Sequence, residues 1–185
     1  MKIAISGKIG SGKSTLAEHL CEAHGFDIFA FAYNLKLDVI NMGVPAWVMT
    51  KKPTPPWLRK LLQLYGADKR SGVNPAYWIA RLFDDIEAID PDNHVIEDMR
   101  YWNEARWARS NGYKMVKIVK LGDKAGDTHP SETDLDEWHD WDLVIEVGPG
   151  ELEDMFDIID DELEVWVASN RSESNEGDAG QAELG

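Results

Sequence analysis

Short apolar runs alternate with longer amphipathic stretches along this chain, and that alternation sets the expected architecture. KIAIS (2–6) reads as a buried strand, and SGKSTLAEHLCEAHG follows it with helical spacing and a closing glycine, Gly25. A second short strand is expected within FDIFAFA (26–32). From there to about residue 90 the pattern is helical: YNLKLDVINMG, PPWLRKLLQLYGADKR and NPAYWIARLFDDIEAI. KKPTPP (51–56) is a proline-rich connection, with Pro56 or Trp57 opening the next helix. HVIED (94–98) is the third strand, followed by a helix to about Ser110 that Gly112 stops. KMVKIVKL (114–121) and DLVIEV (142–147) are two more strands, and ELEDMFDIIDDELEVWV is a last amphipathic helix. Strands separated by helices predict an α/β fold, a five-stranded parallel sheet flanked by helices on both faces. The stretch 122–138 is charged and lacks apolar periodicity, which predicts a mobile flap. No internal repeat is present.

Composition narrows the picture. The 185 residues, 43% of them hydrophobic, suffice for one folded unit, expected over 1–168. The polar end ASNRSESNEGDAGQAELG predicts a disordered acidic tail over 169–185. No apolar run is long enough for a membrane span, and the N-terminus shows no signal-peptide pattern, so a cytoplasmic protein is expected. A net charge of −15 argues against a polynucleotide partner, although a few local cations can still hold a small anion in a cleft. The lone cysteine, Cys21, excludes an internal disulfide and is expected in the core beside Leu16, Ala17 and Leu20. None of the five histidines is expected to form a metal-ligand cluster.

The chemistry begins at GKIGSGKS. Gly7, Gly12, Lys13 and Ser14 match G-x-x-x-x-G-K-[ST], directly after the first strand and opening a helix. Chance would produce the pattern in a chain of this length on the order of 1% of the time. Gly7, Gly10 and Gly12 let the backbone wrap a polyphosphate, and N–H groups at the helix N-terminus point at its oxygens. Lys13 supplies a cation for the β- and γ-phosphates, and Ser14 a hydroxyl for Mg²⁺. The predicted phosphate-binding set is Gly10, Ser11, Gly12, Lys13, Ser14 and Thr15. A P-loop NTPase fold follows. The absence of N-K-x-D disfavours a GTPase, and the short chain disfavours a motor.

A phosphotransferase needs more: an acid ending a neighbouring strand, cations around the transferred group, and an acceptor pocket. In VIEDMR, Asp98 suits the first, near the metal or the acceptor, and Arg100 could clamp the acceptor phosphate. Glu97 is expected to point the other way. Lys36, Arg59 and Arg70 lie in the helical region between the second and third strands. Each could equally be a solvated surface charge.

Several stretches in fixed order then become specific: FAFAYNLK, LRKLLQLYGADKR, NPAYW, VIEDMRYWNEA, GDTHPSE and DLVIEVGPGELEDMF. With the phosphate loop they resemble the bacteriophage deoxynucleoside monophosphate kinases, from about residue 1 to 160. That resemblance implies transfer of the ATP γ-phosphoryl group to a deoxynucleoside 5′-monophosphate with Mg²⁺, held by Ser14 and Asp98, and a location in the host cytoplasm. It implies a helical acceptor-binding subdomain over about 33–90 and a lid over about 120–138. Lys13, Arg59, Asp98 and Arg100 would be catalytic, with Lys36, Arg70, Trp78, Tyr101 and Glu104 joining Arg59, Asp98 and Arg100 in the acceptor site. Lys120 or Lys124 would reach the donor phosphates, with Lys120 standing where relatives often carry arginine. His129 would orient the lid, and the loop with Gly148 and Gly150 would wall the adenine. Trp78 could instead be core, and Glu104 a helix-start acid. Arg106 and Arg109 read as a solvated face. The alternatives are another small P-loop kinase, for dephospho-coenzyme A or of adenylate-kinase type, or a non-catalytic ATP-binding module. A homodimer is a common state for such chains.

Overall fold

Lys2–Gly7 forms the central strand β1, with its four middle residues buried. The structure, a computed structural model, describes residues 1–122, 129–148 and 150–179. β1 leads into α1 (Lys13–His24), which is followed by β2 (Asp27–Phe29) and α2 (Phe31–Asn41). α3 (Ala46–Met49), α4 (Pro56–Gly72) and α5 (Tyr77–Ile89) complete the helical region, and β3 (His94–Met99), α6 (Trp102–Ser110) and β4 (Lys114–Lys120) return to the sheet. The short α7 (Pro130–Thr133), β5 (Leu143–Val147) and α8 (Leu152–Ala179) end the described chain.

All five strands are parallel, in the order β2-β3-β1-β4-β5. β1 therefore lies between the third and fourth strands, and the loops leaving the carboxyl ends of β1, β3 and β4 share one edge, where open α/β sheets bind ligands. The register sharpens this: Ser6 pairs with Met99 and Gly7 with Ile118, so the glycine loop and Arg100 leave the sheet side by side.

Two apolar layers close the faces because successive strand residues point to opposite sides. Ile3, Ile5, Val95, Val116, Ile118 and Ile145 pack against Leu16 and Leu20 of α1 and Met155, Ile159 and Leu163 of α8. Ala4, Ile96 and Met115 pack on the other side against Leu82 of α5 and Ala105 and Ala108 of α6. Each fully buried Leu or Ile contributes about 1.5–3 kcal/mol by leaving water. A smaller cluster of Val39, Val48 and Leu58 holds α2, α3 and α4 together.

Four departures from the sequence expectations have local causes. The buried stripe of α1 ends at Leu20 and the chain re-enters the core at Phe26; residues 21–25 between them are exposed, and Cys21 with them. Residues 123–128 of the expected flap and lid fall outside the described residues, while its later part is anchored: Leu135 and Trp138 are buried, Trp138 packing edge-on against Trp102 of α6 at 4.8 Å. Arg109 is not simply solvated, since Nη1 donates to Asp142 Oδ2 at 2.7 Å and Nη2 to the Asp140 carbonyl at 2.7 Å. α8 continues to Ala179, past the expected start of the tail at 169, because no proline interrupts its i→i+4 ladder. No described helix is long and apolar enough to cross a membrane.

Candidate functional site

The glycine loop is tight for steric reasons. A Cβ on Gly7 would stand 2.6 Å from both the Ile118 carbonyl and Ser11 Oγ, and Gly12 has a φ of 100°. Side chains are excluded from both positions, by contact in one and by backbone conformation in the other. Gly12 precedes α1, so the helix's first N–H groups face the loop. Ser11 is buried and its hydroxyl has no hydrogen-bond partner, a polar group already withdrawn from water.

Lys13 is also buried, at 8% exposure, and curls back so that Nζ donates to the Gly7 carbonyl at 2.8 Å and the Lys8 carbonyl at 2.7 Å. Burial lowers its pKa to about 8, and the Arg100 guanidinium acts in the same direction. Glu132, Asp98 and Glu97 oppose that shift. Two cations are thus held close together with three carboxylates near them. Glu97, expected to face away, still contributes its charge here.

Asp98 at the end of β3 caps α2: Oδ1 accepts the Phe31 N–H at 2.7 Å and Oδ2 the Ala32 N–H at 2.9 Å. The acid that ends the third strand therefore fixes the entry to the helical region α2–α5. Each oxygen keeps a second lone pair. One residue beyond Met99, Arg100 Nη1 donates to the Ser131 carbonyl at 3.0 Å and pairs with Glu132. The other Glu132 oxygen, Oε2, accepts the Ile9 N–H of the glycine loop at 2.8 Å. A carboxylate on α7 thus lies between a loop amide and Arg100. Glu132 lies within GDTHPSE, and nothing local in that stretch reveals that this acid reaches back across 123 positions.

Glu104 is almost completely buried on α6 and organises the turn between β3 and α6. Oε2 accepts the N–H groups of Arg100 at 2.8 Å and Tyr101 at 3.0 Å, and Oε1 pairs with Arg70 Nη2 at 3.0 Å. Burial pushes its pKa up to about 7, with Arg70 pulling the other way. The Arg70 guanidinium also stacks over the Tyr101 ring, 3.9 Å from its centroid. Arg70, Tyr101, Ala67, Ser71, His129 and Pro130 line an open cleft of about 300 Å³. His129 caps α7, its Nδ1 accepting the Ser131 N–H at 3.2 Å.

Of the expected site residues, the structure gathers Gly10 to Thr15, Asp98, Arg100, Tyr101, Glu104 and Arg70 at one edge of the sheet. Arg59 sits half-buried in the first turn of α4 and Lys36 half-buried on α2. Lys120 ends β4. Trp78 does not reach the cleft: it is 2% exposed, and its indole N–H donates to the Gly66 carbonyl of α4 at 3.1 Å. Its ring packs between α4 and α5, edge-on to Tyr65 at 6.1 Å and Tyr77 at 4.8 Å. Lys124 falls outside the described residues. Gly148 donates its N–H to Glu151 Oε2 at 2.7 Å, while Pro149 lies outside the described residues. Away from the cleft, His19 and His24 of α1 both lie within hydrogen-bond distance of Asp160 on α8.

Comparison with known proteins adds to this geometry. Residues 39–159 match the family model described as deoxynucleotide monophosphate kinase. The chain is 30% identical over 166 residues to a protein named putative deoxynucleotide monophosphate kinase from Acanthamoeba polyphaga mimivirus, covering 77% of this chain and 86% of that one. It is 32% identical over 139 residues to the deoxynucleotide monophosphate kinase of Enterobacteria phage T4, covering 72% of this chain and about half, 53%, of that relative's length. Among solved structures, shikimate kinase from Aquifex aeolicus matches 91% of this chain and 99% of its own, with a TM-score of 0.51 at 14% identity, a likeness of fold.

Proposed function

The chain belongs to the deoxynucleotide monophosphate kinase family, and on that premise we propose that its cleft transfers the γ-phosphoryl group of ATP to a deoxynucleoside 5′-monophosphate. The observation that carries this reading is the Glu132 bridge. A carboxylate held between the Ile9 N–H and Arg100 marks a position where an anion is satisfied from both sides. Phosphoryl oxygens demand the same donors, and the transferred group must pass between the loop and the acceptor.

In this mechanism the loop amides and Lys13 bind the donor phosphates. Lys13 would exchange its two carbonyl acceptors for phosphate oxygens, and their negative charge would raise its depressed pKa. Arg100 takes the acceptor phosphate and brings it in line with the donor, at the cost of its pairing with Glu132. Glu104 orients that step without touching it: by accepting the N–H groups of Arg100 and Tyr101 it fixes the turn, and through Arg70 it fixes the stacked pair that forms the cleft wall. Arg70 over Tyr101 presents a flat, donor-rich edge to a base. Arg59 and Lys36 supply further positive charge from the helical region, and Lys120 from the donor side.

Mg²⁺ fits the oxygen donors present. Ser14 offers a hydroxyl at the start of α1, and Asp98, with one lone pair left on each oxygen and Glu97 beside it, offers hard ligands or acceptors for bound water. The ion would neutralise polyphosphate charge. Nucleotides are small-molecule partners for such a cleft; a homodimer, the absence of a polynucleotide partner and a cytoplasmic location remain part of the proposal.

The test is ADP release from ATP across a panel of deoxynucleoside monophosphates, ribonucleoside monophosphates and dephospho-coenzyme A. Turnover with one or more deoxynucleotides is expected. Activity with dephospho-coenzyme A alone would overturn the acceptor assignment, and ATP binding without any acceptor-stimulated turnover would reduce the protein to a binding module.

A further inference from the structure

The second cluster of chemically capable side chains lies on the face of the sheet covered by α1 and α8. His19 and His24 of α1 and Asp160 of α8 converge there: Nε2 of each imidazole is 2.8 Å from the same oxygen, Asp160 Oδ1. One ligand atom from each residue can be chosen so that all three lie within 4.8 Å of one another. A single hydrogen bond would tie α1 to α8; two imidazoles aimed at one oxygen gather two nitrogen donors and one oxygen donor around a common point.

We propose that His19, His24 and Asp160 form a transition-metal site of the zinc class that clips α1 to α8. Two imidazoles and a carboxylate suit Zn²⁺, whereas Mg²⁺ and Ca²⁺ prefer all-oxygen sets. With metal–ligand distances of about 2.0–2.2 Å, the edges of a tetrahedral site are roughly 3.3 Å, so the present 2.8 Å contacts need open by only about half an ångström. The His19 ring is already set, stacked on Phe156 at 4.2 Å with an interplanar angle of 7°. The three side chains are 18%, 32% and 38% exposed, which leaves a route for the ion and room for a water as fourth ligand.

The position gives the clip a purpose. α1 carries the phosphate loop at its other end, and Met155 in the first turns of α8 approaches that loop, 3.6 Å from where a Gly12 Cβ would stand. His24 lies in the exposed last turn of α1, which the apolar core does not hold. A metal across His19, His24 and Asp160 would fasten that turn and keep α8 seated over the loop's helix, independently of the cleft.

The experiment is thermal unfolding of the full chain, stripped with EDTA and returned to excess Mg²⁺, with and without added ZnCl₂. A rise in Tm of about 5 °C with Zn²⁺ is expected, as binding to the folded state alone stabilises it. The rise should vanish in both His24→Ala and Asp160→Asn, while ADP release in Mg²⁺ stays within about twofold of the parent. No rise in the parent, or an equal rise in both variants, would overturn the site. Should a variant fail to fold, the parent decides it: on Zn²⁺ titration the ring-nitrogen resonances of His19 and His24 should shift together at one equivalent. Shifts confined to His94, His129 or His139 would also overturn it.

Discussion

The proposed donor and acceptor halves of the cleft are built by opposite strategies. The donor loop is nearly contiguous: Gly7 to Thr15 carry the tight backbone, the buried Ser11, the folded Lys13 and the start of α1. The proposed acceptor wall is assembled from α4, the β3–α6 turn with the start of α6, and α7, with Arg70, Arg100, Tyr101, Glu104 and Glu132 meeting from three separated stretches. A short motif can encode a backbone cradle, because neighbouring amides suffice to bind phosphate. Reading a base and a monophosphate needs side chains from several directions, and so needs the fold.

Substitutions should separate the two halves. The largest effect is expected from Lys13→Ala, which removes the buried donor-side cation; kcat should fall by about 10³-fold or more, roughly 4 kcal/mol of transition-state stabilisation, with the fold intact by circular dichroism. Next comes Trp78→Ala, expected to cost about 3 kcal/mol of stability in a denaturant titration while leaving the KM for the acceptor little changed at a temperature where the protein is folded. A large rise in acceptor KM with stability unchanged would restore Trp78 to the base site. Arg100→Ala should lower kcat/KM for the acceptor by on the order of 10²-fold, about 2.7 kcal/mol, while ATP affinity moves far less. An equal loss for both substrates would erase the division between donor and acceptor sides.

A further effect, a pH dependence, lies outside the cleft. Burial lowers the pKa of His94 to about 4, helped by Lys2 and the N-terminus, from an ordinary 6.5. Between those values the unfolded chain binds the extra proton, so stability should fall as pH drops from about 6.5 towards 4 and level off below. His94→Gln should flatten that part of the profile measured by urea unfolding. A slope unchanged in this variant would place the acid sensitivity among the carboxylates.

The strand and helix pattern was legible because apolar runs and amphipathic spacing are local properties, and the five strands appear within a residue or so of their expected bounds except β2, which occupies only Asp27–Phe29 of the stretch 26–32. The P-loop was legible because its chemistry is local too. Asp98 and Arg100 were recognisable as important, yet their partners were not: one caps α2 and the other meets Glu132. Trp78 shows the converse, since an aromatic at helical spacing looks the same whether it packs or stacks. Cys21 was misplaced because the end of a buried stripe depends on where the helix leaves the sheet.

Sequence alone determined the parallel α/β sheet and the phosphate loop, which rest on periodicity or on residues within a few positions of one another, and its ordered motifs carried the resemblance to the kinase family. Tertiary structure alone decided the Glu132 bridge, the Arg70–Glu104–Tyr101 wall and the meeting of His19, His24 and Asp160. Side chains more than a hundred positions apart, as His19 and Asp160 are, become neighbours only when the sheet orders its strands and seats its helices. No local pattern carries that distance.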